Sequence, residues 1–305
     1  MKRAIPVLFI CLLLMCSSGL LCFGEELINP ENPSSLTLYY QYEGTVFQNL
    51  EIKTYRVAEV NTVGVYTLTG EFSNYPISLE GIKSQLEWRY IASTLAAYAI
   101  ADGLEPYKRG ITDENGSVKF SDILPGLYLT LSVSVKNGER VVIFENFMTV
   151  IPREDENGGY DYDGVAYPKY SSYVPEPQES EYKIVKHWKD SGYEENRPEY
   201  IEVDILKDGE LWKTQRLSAD NNWSYSWKAP DKKNNWTAVE RNVPEGYTVS
   251  FVNEGYTLIL TNIYESGEKP PVTGEILVVW PYILGMGISG GVITLLAFWR
   301  KRLEA

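Results

Sequence analysis

The chain has 305 residues, 28 lysines and arginines against 41 aspartates and glutamates, and a formal charge of −13. That balance, with no basic run outside the extreme C-terminus, excludes a phosphate-tracking nucleic-acid binder. Three cysteines and one histidine leave too few groups for Cys/His zinc sites or for Ser–His and Cys–His nucleophile pairs, so neither a metal nor a cofactor is expected.

In chain order, residues 1–24 open with Lys2 and Arg3 and continue as an apolar run from Ile5 to Met15. They close on Cys22-Phe23-Gly24, which is the grammar of a secretory signal peptide. Cys11, Cys16 and Cys22 all lie inside it, and the bulky residues before Cys16 and Cys22 argue against a lipoprotein anchor. The exported chain is expected to have no thiol, and so neither a disulfide nor a Cys-ligated metal.

Residues 25–170 read as a first β domain. Runs at Leu36–Tyr40, Leu50–Val57, Gly64–Thr69 and Val141–Phe144 alternate or cluster β-branched residues as strands do. One helix is expected within it, at about 79–102. Ser78 would cap a stripe of Leu79, Ile82, Leu86, Ile91, Leu95 and Tyr98, ended near Gly103, whose use is to cover a sheet. Lys53 is a candidate amine with no evident partner.

The polar, Pro-punctuated segment 171–181 reads as a linker. After it, residues 182–265 form a second β domain, whose clearest signal is the strand Tyr200–Leu206 leading into the turn Lys207-Asp208-Gly209-Glu210. The expected fold is therefore mainly β: two tandem immunoglobulin-like β-sandwich domains, the first with one inserted helix. At the far end, residues 276–299 are largely apolar and long enough to span a bilayer as a transmembrane helix. Arg300-Lys301-Arg302 begins the basic cytoplasmic tail, 300–305.

Three segments resemble known families. Residues 182–264 closely resemble the B-type repeat domain of collagen-binding surface proteins. The likeness is carried by Val185–Asp190, Asn196–Glu199, Asp208-Gly209, Asn222-Trp223, Trp236–Glu240, Pro244–Tyr247 and Leu260–Tyr264. Domains of that family often join a first-strand Lys to a last-strand Asn, promoted by a carboxylate between them. The matching positions are Lys186, Asn262 and Glu240. An amine attacks only when neutral, so such a Lys must be desolvated, and a buried Glu can polarise the Asn carbonyl and relay protons. Trp188 and Trp236 are expected to exclude water. His187 alternates with Lys186 and faces the other way. The competing reading is an ordinary surface ion pair between Lys186 and Glu240, with Asn262 merely closing a strand.

Within 266–275, Pro270-Pro271-Val272-Thr273-Gly274 precedes the apolar span and the basic tail. It resembles the sorting signal of Gram-positive cell-wall proteins, with Pro270 where Leu is usual. This resemblance implies cleavage between Thr273 and Gly274 by sortase; a plain C-terminal membrane anchor is the alternative. The product, residues 25–273, keeps 23 basic and 39 acidic residues. Tyr160 to Lys169 resembles the pilin motif of sortase-assembled pili, with the Tyr167-Pro168-Lys169 core intact and Tyr160, Gly164 and Ala166 departing from it. Upstream stretches such as Leu50–Ala58 and Leu124–Tyr128 resemble the N-terminal domain of shaft pilins.

Together these resemblances imply a structural subunit of the Gram-positive surface, a substrate of sortase and not an enzyme. It would be secreted, anchored to the cell wall, and linked through Lys169 and Thr273 to neighbouring pilin subunits or to peptidoglycan. The alternative is a monomeric wall-anchored adhesin that presents Tyr39, Tyr40, Tyr42, Tyr160, Tyr162 and Tyr167 to a host or matrix ligand. A hydrolase built on Glu154, Asp155, Asp161 and Asp163 is the remaining reading.

Overall fold

A computed structural model describes residues 27–156, 158–175, 179–230 and 236–264. The signal peptide, the sorting segment with Pro270, Pro271, Val272, Thr273 and Gly274, the expected transmembrane helix and the basic tail lie outside the described residues. Among the described residues no helix is long and apolar enough to cross a membrane.

The first region runs β1 (Ser34–Tyr39), β2 (Glu51–Val60), β3 (Tyr66–Leu68), α1 (Gln85–Ala101), β4 (Lys108–Ile111), β5 (Ser117–Ile123) and β6 (Gly126–Thr130), then β7 (Val133–Asn137), β8 (Arg140–Phe144), β9 (Phe147–Ile151), β10 (Asp163–Ala166) and β11 (Tyr170–Tyr173). Two three-stranded sheets, β10-β1-β5 and β11-β8-β7, face a five-stranded one, β9-β6-β2-β3 with β4 also on β2. The central strand β6 explains the layering, because all five of its residues are buried. Tyr128 points into the core shared with Leu36, Leu38, Phe120 and Phe144, whereas Leu127 and Leu129 point the other way, onto the helix.

The second region runs β12 (Glu179–Lys189), β13 (Tyr200–Lys207), β14 (Glu210–Ser218), β15 (Ser224–Pro230), β16 (Trp236–Glu240), β17 (Tyr247–Glu254) and β18 (Thr257–Tyr264). Sheet β15-β12-β18-β17 packs on sheet β14-β13-β16 as a sandwich, with Ile184, Val203, Ile205, Leu258 and Leu260 inside. The expected turn closes β13 on β14, pairing Lys207 with Glu210, with Asp208 at φ 55° and Gly209 at φ 87°. Both positive angles suit a two-residue hairpin whose twist matches its strands.

The helix differs from its expected bounds. It begins at Gln85, not near 79, because Ser84 and Glu87 form a capping box, whereas Gly81 at φ 69° interrupts the chain after Ser78. Leu79 and Ile82 therefore precede the helix, and Leu86 is exposed. Nor does the helix cover one sheet alone. Ala92, Leu95, Ala96 and Ala99 join the first region's core, while Ala97 and Tyr98 join that of the second. Alanines on both stripes let two layers approach closely, and residues 27–264 fall in one compact unit as a result.

The segment expected to link two domains is shorter than 171–181. Its first three residues belong to β11, which pairs Tyr170–Tyr173 with Val141–Phe144, and β12 begins at Glu179. Strand β17, at the edge of its sheet, gives its outward amides to the first region: Val249 N–H donates to the Pro76 carbonyl (2.9 Å) and Phe251 N–H to Thr94 Oγ1 (2.7 Å). An edge that would otherwise be open to another chain is thereby covered.

Candidate functional site

Strands β12 and β18 are the first and last of the second region, yet they lie side by side and parallel, with Lys186 opposite Leu260 and Trp188 opposite Asn262. Even-numbered side chains of both strands point inward, so Lys186 and Asn262 are diagonal neighbours on the core face, while His187 is exposed. Glu240, the last residue of β16, comes from the opposed sheet. Its carboxylate bridges the other two, with Oε2 at 2.5 Å from Lys186 Nζ and Oε1 accepting from Asn262 Nδ2 at 2.9 Å.

The site is dry. The side chains of Lys186 and Glu240 are 0 % exposed and Asn262 is fully buried. Among the described residues Lys186 is the one buried lysine. Burial pulls its amine down to about 8, against the opposing charges of Glu240 and Asp190. The reading of Lys186 and Glu240 as a surface ion pair is overturned by this burial. A buried pair at 2.5 Å is poised differently, because burial disfavours the charged amine while a carboxylate oxygen lies within reach of its proton.

Among the described residues Asn262 Oδ1 is buried without a hydrogen-bond partner. A half-turn of the amide would bring that oxygen to the Glu240 carboxyl group in place of Nδ2.

Of the two tryptophans expected to exclude water, Trp188 lies against the amine, its ring centre 4.5 Å from Nζ, and is backed edge-on by Trp223 and Tyr247. Trp236 instead packs among Tyr182, Trp212 and Trp227. A plug not foreseen from the sequence closes the end of β12. Asp190 holds Arg197 in a two-pronged pair (2.6 and 2.8 Å) and accepts from the Tyr247 hydroxyl (2.9 Å). Arg197 and the Tyr247 bond keep the Asp190 carboxyl below its ordinary range. Asp190 and Arg197 stood in the family-like strings, but nothing in their spacing gave them a partner 57 residues away.

Tyr167, Pro168 and Lys169 form the crossover from β10 to β11, between two sheets. Tyr167 is 63 % exposed and stacks on Tyr39 at 5.2 Å, and Pro168 is buried. Lys169 is exposed, its carbonyl accepting from Glu145 N–H and its amine 3.4 Å from Gln85 Oε1. Beside it runs a groove of about 470 Å³, lined by Trp88, Met148, Val150, Val165 and Tyr167.

The other readings fare differently. Tyr40 and Tyr42, expected in an aromatic surface, are core residues at 1 % and 6 % exposure. Asp161 pairs with Arg153 and Asp163 accepts from Ser35, and none of Glu154, Asp155, Asp161 and Asp163 lines the groove beside Lys169.

Comparison with known proteins bears on this site. Residues 182–263 match the family model of the Cna protein B-type domain. A collagen adhesin of Staphylococcus aureus is 33 % identical over 107 residues, which are 32 % of this chain and 9 % of that protein, so the chain spans a small part of that relative's length. Among solved structures, a single B repeat unit of the S. aureus collagen-binding protein is 16 % identical, covering 77 % of this chain and 99 % of that one, with a TM-score of 0.27. The major pilin SpaD of Corynebacterium diphtheriae is 12 % identical, covering 78 % of this chain and 99 % of that one, at a TM-score of 0.28. With its first and last strands adjacent and its family residues in place along them, the chain carries a Cna protein B-type domain over residues 182–263.

Proposed function

We propose that the protein is a pilin-type structural subunit of the Gram-positive cell surface, a substrate of sortase, with an internal isopeptide bond between Lys186 and Asn262. The observation that carries the cross-link is the buried contact of all three groups through the Glu240 carboxyl. Neutral Nζ attacks Cγ of Asn262 while Glu240 donates to Oδ1. Glu240 then takes the proton released by Nζ and delivers it to Nδ2, which leaves as ammonia. One C–N bond forms, one breaks, and no oxidant is needed. Proximity supplies most of the acceleration.

Assembly follows the same chemistry between chains. Sortase breaks the Thr273–Gly274 bond and passes the Thr273 carbonyl to Lys169 Nζ of another copy. That amine is exposed, and the groove beside it offers an apolar bed for the Pro-Pro-Val segment of the donor. Donor and acceptor are different surfaces, so the contact is heterologous and grows a filament. The ectodomain, residues 25–273, is then expected about 17 Da lighter than its sequence, one ammonia, with Glu240→Ala restoring the full mass. Wall extracts should give a high-mass ladder that collapses to monomer in Lys169→Arg. A single band in both, with the mass loss intact, would leave a cross-linked adhesin in place of a pilin.

A further inference from the structure

Glu240 is held in an unusual way. It is the last residue of β16, which among the described residues is an edge strand paired with β13 alone. The Arg241 N–H donates to the Glu202 carbonyl on the β13 side (3.0 Å). The Glu240 carbonyl belongs to the same planar peptide and points the opposite way, out of the sheet. There it meets no strand but a side chain of the first region: the Tyr98 hydroxyl, near the end of α1, donates to it at 3.1 Å in a buried contact. The Tyr98 ring is stacked on Tyr75 at 4.3 Å, and Tyr75 in turn donates to Asp102. The next residue is fixed by the same helix end, since Arg241 is clamped between Asp102 (2.5 Å) and Asp204 (2.6 Å). Without these contacts a strand end at a sheet edge frays.

We propose that Tyr98 is a positioning residue for the Lys186–Asn262 cross-link, so that the covalent bond of the second region forms at full rate only when the helix of the first region has docked. The inference rests on the cross-link proposed above. It gives the bond a sequence in time. The first region precedes the second in the chain, and its folded helix completes the grip on the promoting carboxyl. The bond then seals an arrangement that already includes both regions.

The test uses residues 25–273, made by cell-free synthesis, quenched at intervals in acidic denaturant and read by intact mass across pH. Tyr98→Phe keeps the ring and removes only the donor. Thr94→Val removes a neighbouring interface bond, the one to Phe251 N–H on β17, which carries none of the three reacting groups. Tyr98→Phe is expected to slow the mass loss about fivefold, the effect of one lost hydrogen bond, with Thr94→Val near the unaltered rate. The pH midpoint should stay where the groups facing Lys186 set it: Glu240 from β16, Asp190 with Arg197, and Tyr247 from β17.

Three outcomes overturn the inference: Tyr98→Phe reacting at the unaltered rate, both variants slowed alike, or slowing accompanied by a midpoint moved up toward ordinary lysine, the sign of a site that has merely become wet. An unaltered chain that never loses ammonia overturns the cross-link itself along with it.

Discussion

Glu240→Gln tests what the proposed Lys186–Asn262 bond contributes to stability. The side chain keeps its size and one acceptor, but it has no acidic proton to give to Asn262 and cannot relay one to the leaving nitrogen, so the chain should retain its ammonia. In the unaltered protein the proposed bond would close a loop of about 77 residues, from Lys186 to Asn262, for which the chain-entropy relation gives about 4.5 kcal/mol. Because α1 belongs to both cores, residues 27–264 should unfold in one transition. For a unit of that size each kcal/mol moves Tm by roughly 2–4 °C, so Glu240→Gln is expected to melt about 9–18 °C lower. Calorimetry reads the shift, and intact mass on the same sample reads the bond. A variant that keeps its ammonia yet melts within 2 °C of the parent, a margin of about 1 kcal/mol, would refute the argument that the tie acts by restricting the unfolded chain.

Asn262→Ala traps the amine uncross-linked and makes its burial measurable. The folded lysine sits at about 8 against an ordinary 10.5, so between these values the unfolded chain holds a proton that the folded one lacks. Stability of this variant should therefore rise with pH across that window, by about 3 kcal/mol, and urea titrations at pH 7.5 and 10.5 check the sign. Because the proposed reaction needs the pair's one proton on the carboxyl side, the cross-linking rate of the unaltered chain should hold steady below about 8 and fall as that proton is lost above it. Ser84→Ala removes half of the capping box on α1 and is expected to cost about 1 kcal/mol in a urea titration, with the ammonia loss unchanged.

The sequence carried most of the strands and singled out Lys186, Glu240 and Asn262, whose side chains meet in the core, and it failed in places that share a cause. Alternation along Leu36–Tyr40 and Tyr200–Leu206 is a local signal, as is the Asp208-Gly209 turn, and each has its counterpart in β1, β13 and the hairpin. The helix start was also written locally, in Ser84 and Glu87, but Ser78 with its apolar neighbours imitates a start when Gly81 is given too little weight. The second face of α1 was hidden because alanine and threonine carry little apolar signal, although Ala97 and Thr94 touch the second sandwich together with Tyr98, which reads as part of the first stripe. Strand β11, with the sequence Tyr-Ser-Ser-Tyr, looks like a linker until Val141–Phe144 lies beside it. The plug of Asp190, Arg197 and Tyr247, and the grip of Tyr98 on Glu240, join residues 57 and 142 apart, which no periodicity encodes.

The positions of the proposed bonds also determine which parts of the chain bear tension in a filament. Load entering at Lys169 and leaving at Thr273 follows the backbone to Lys186, crosses its side chain to Asn262, and continues along the last strand. Residues 187–261 are bypassed, and so is the first region before Lys169. The elements left in the path are β11, held to β8 by four residue pairs, the segment after it, and the parts of β12 and β18 outside the bond. Force spectroscopy with attachments at residues 169 and 273 distinguishes the two cases. The unaltered chain should yield only short extensions, beginning at β11. Asn262→Ala should add a step from the 75 residues between the bonded pair, about 250 Å at the ~3.3–3.6 Å that each extended residue spans. The same long step in the unaltered chain would mean that no covalent route joins β12 to β18 under load, whatever their proximity at rest.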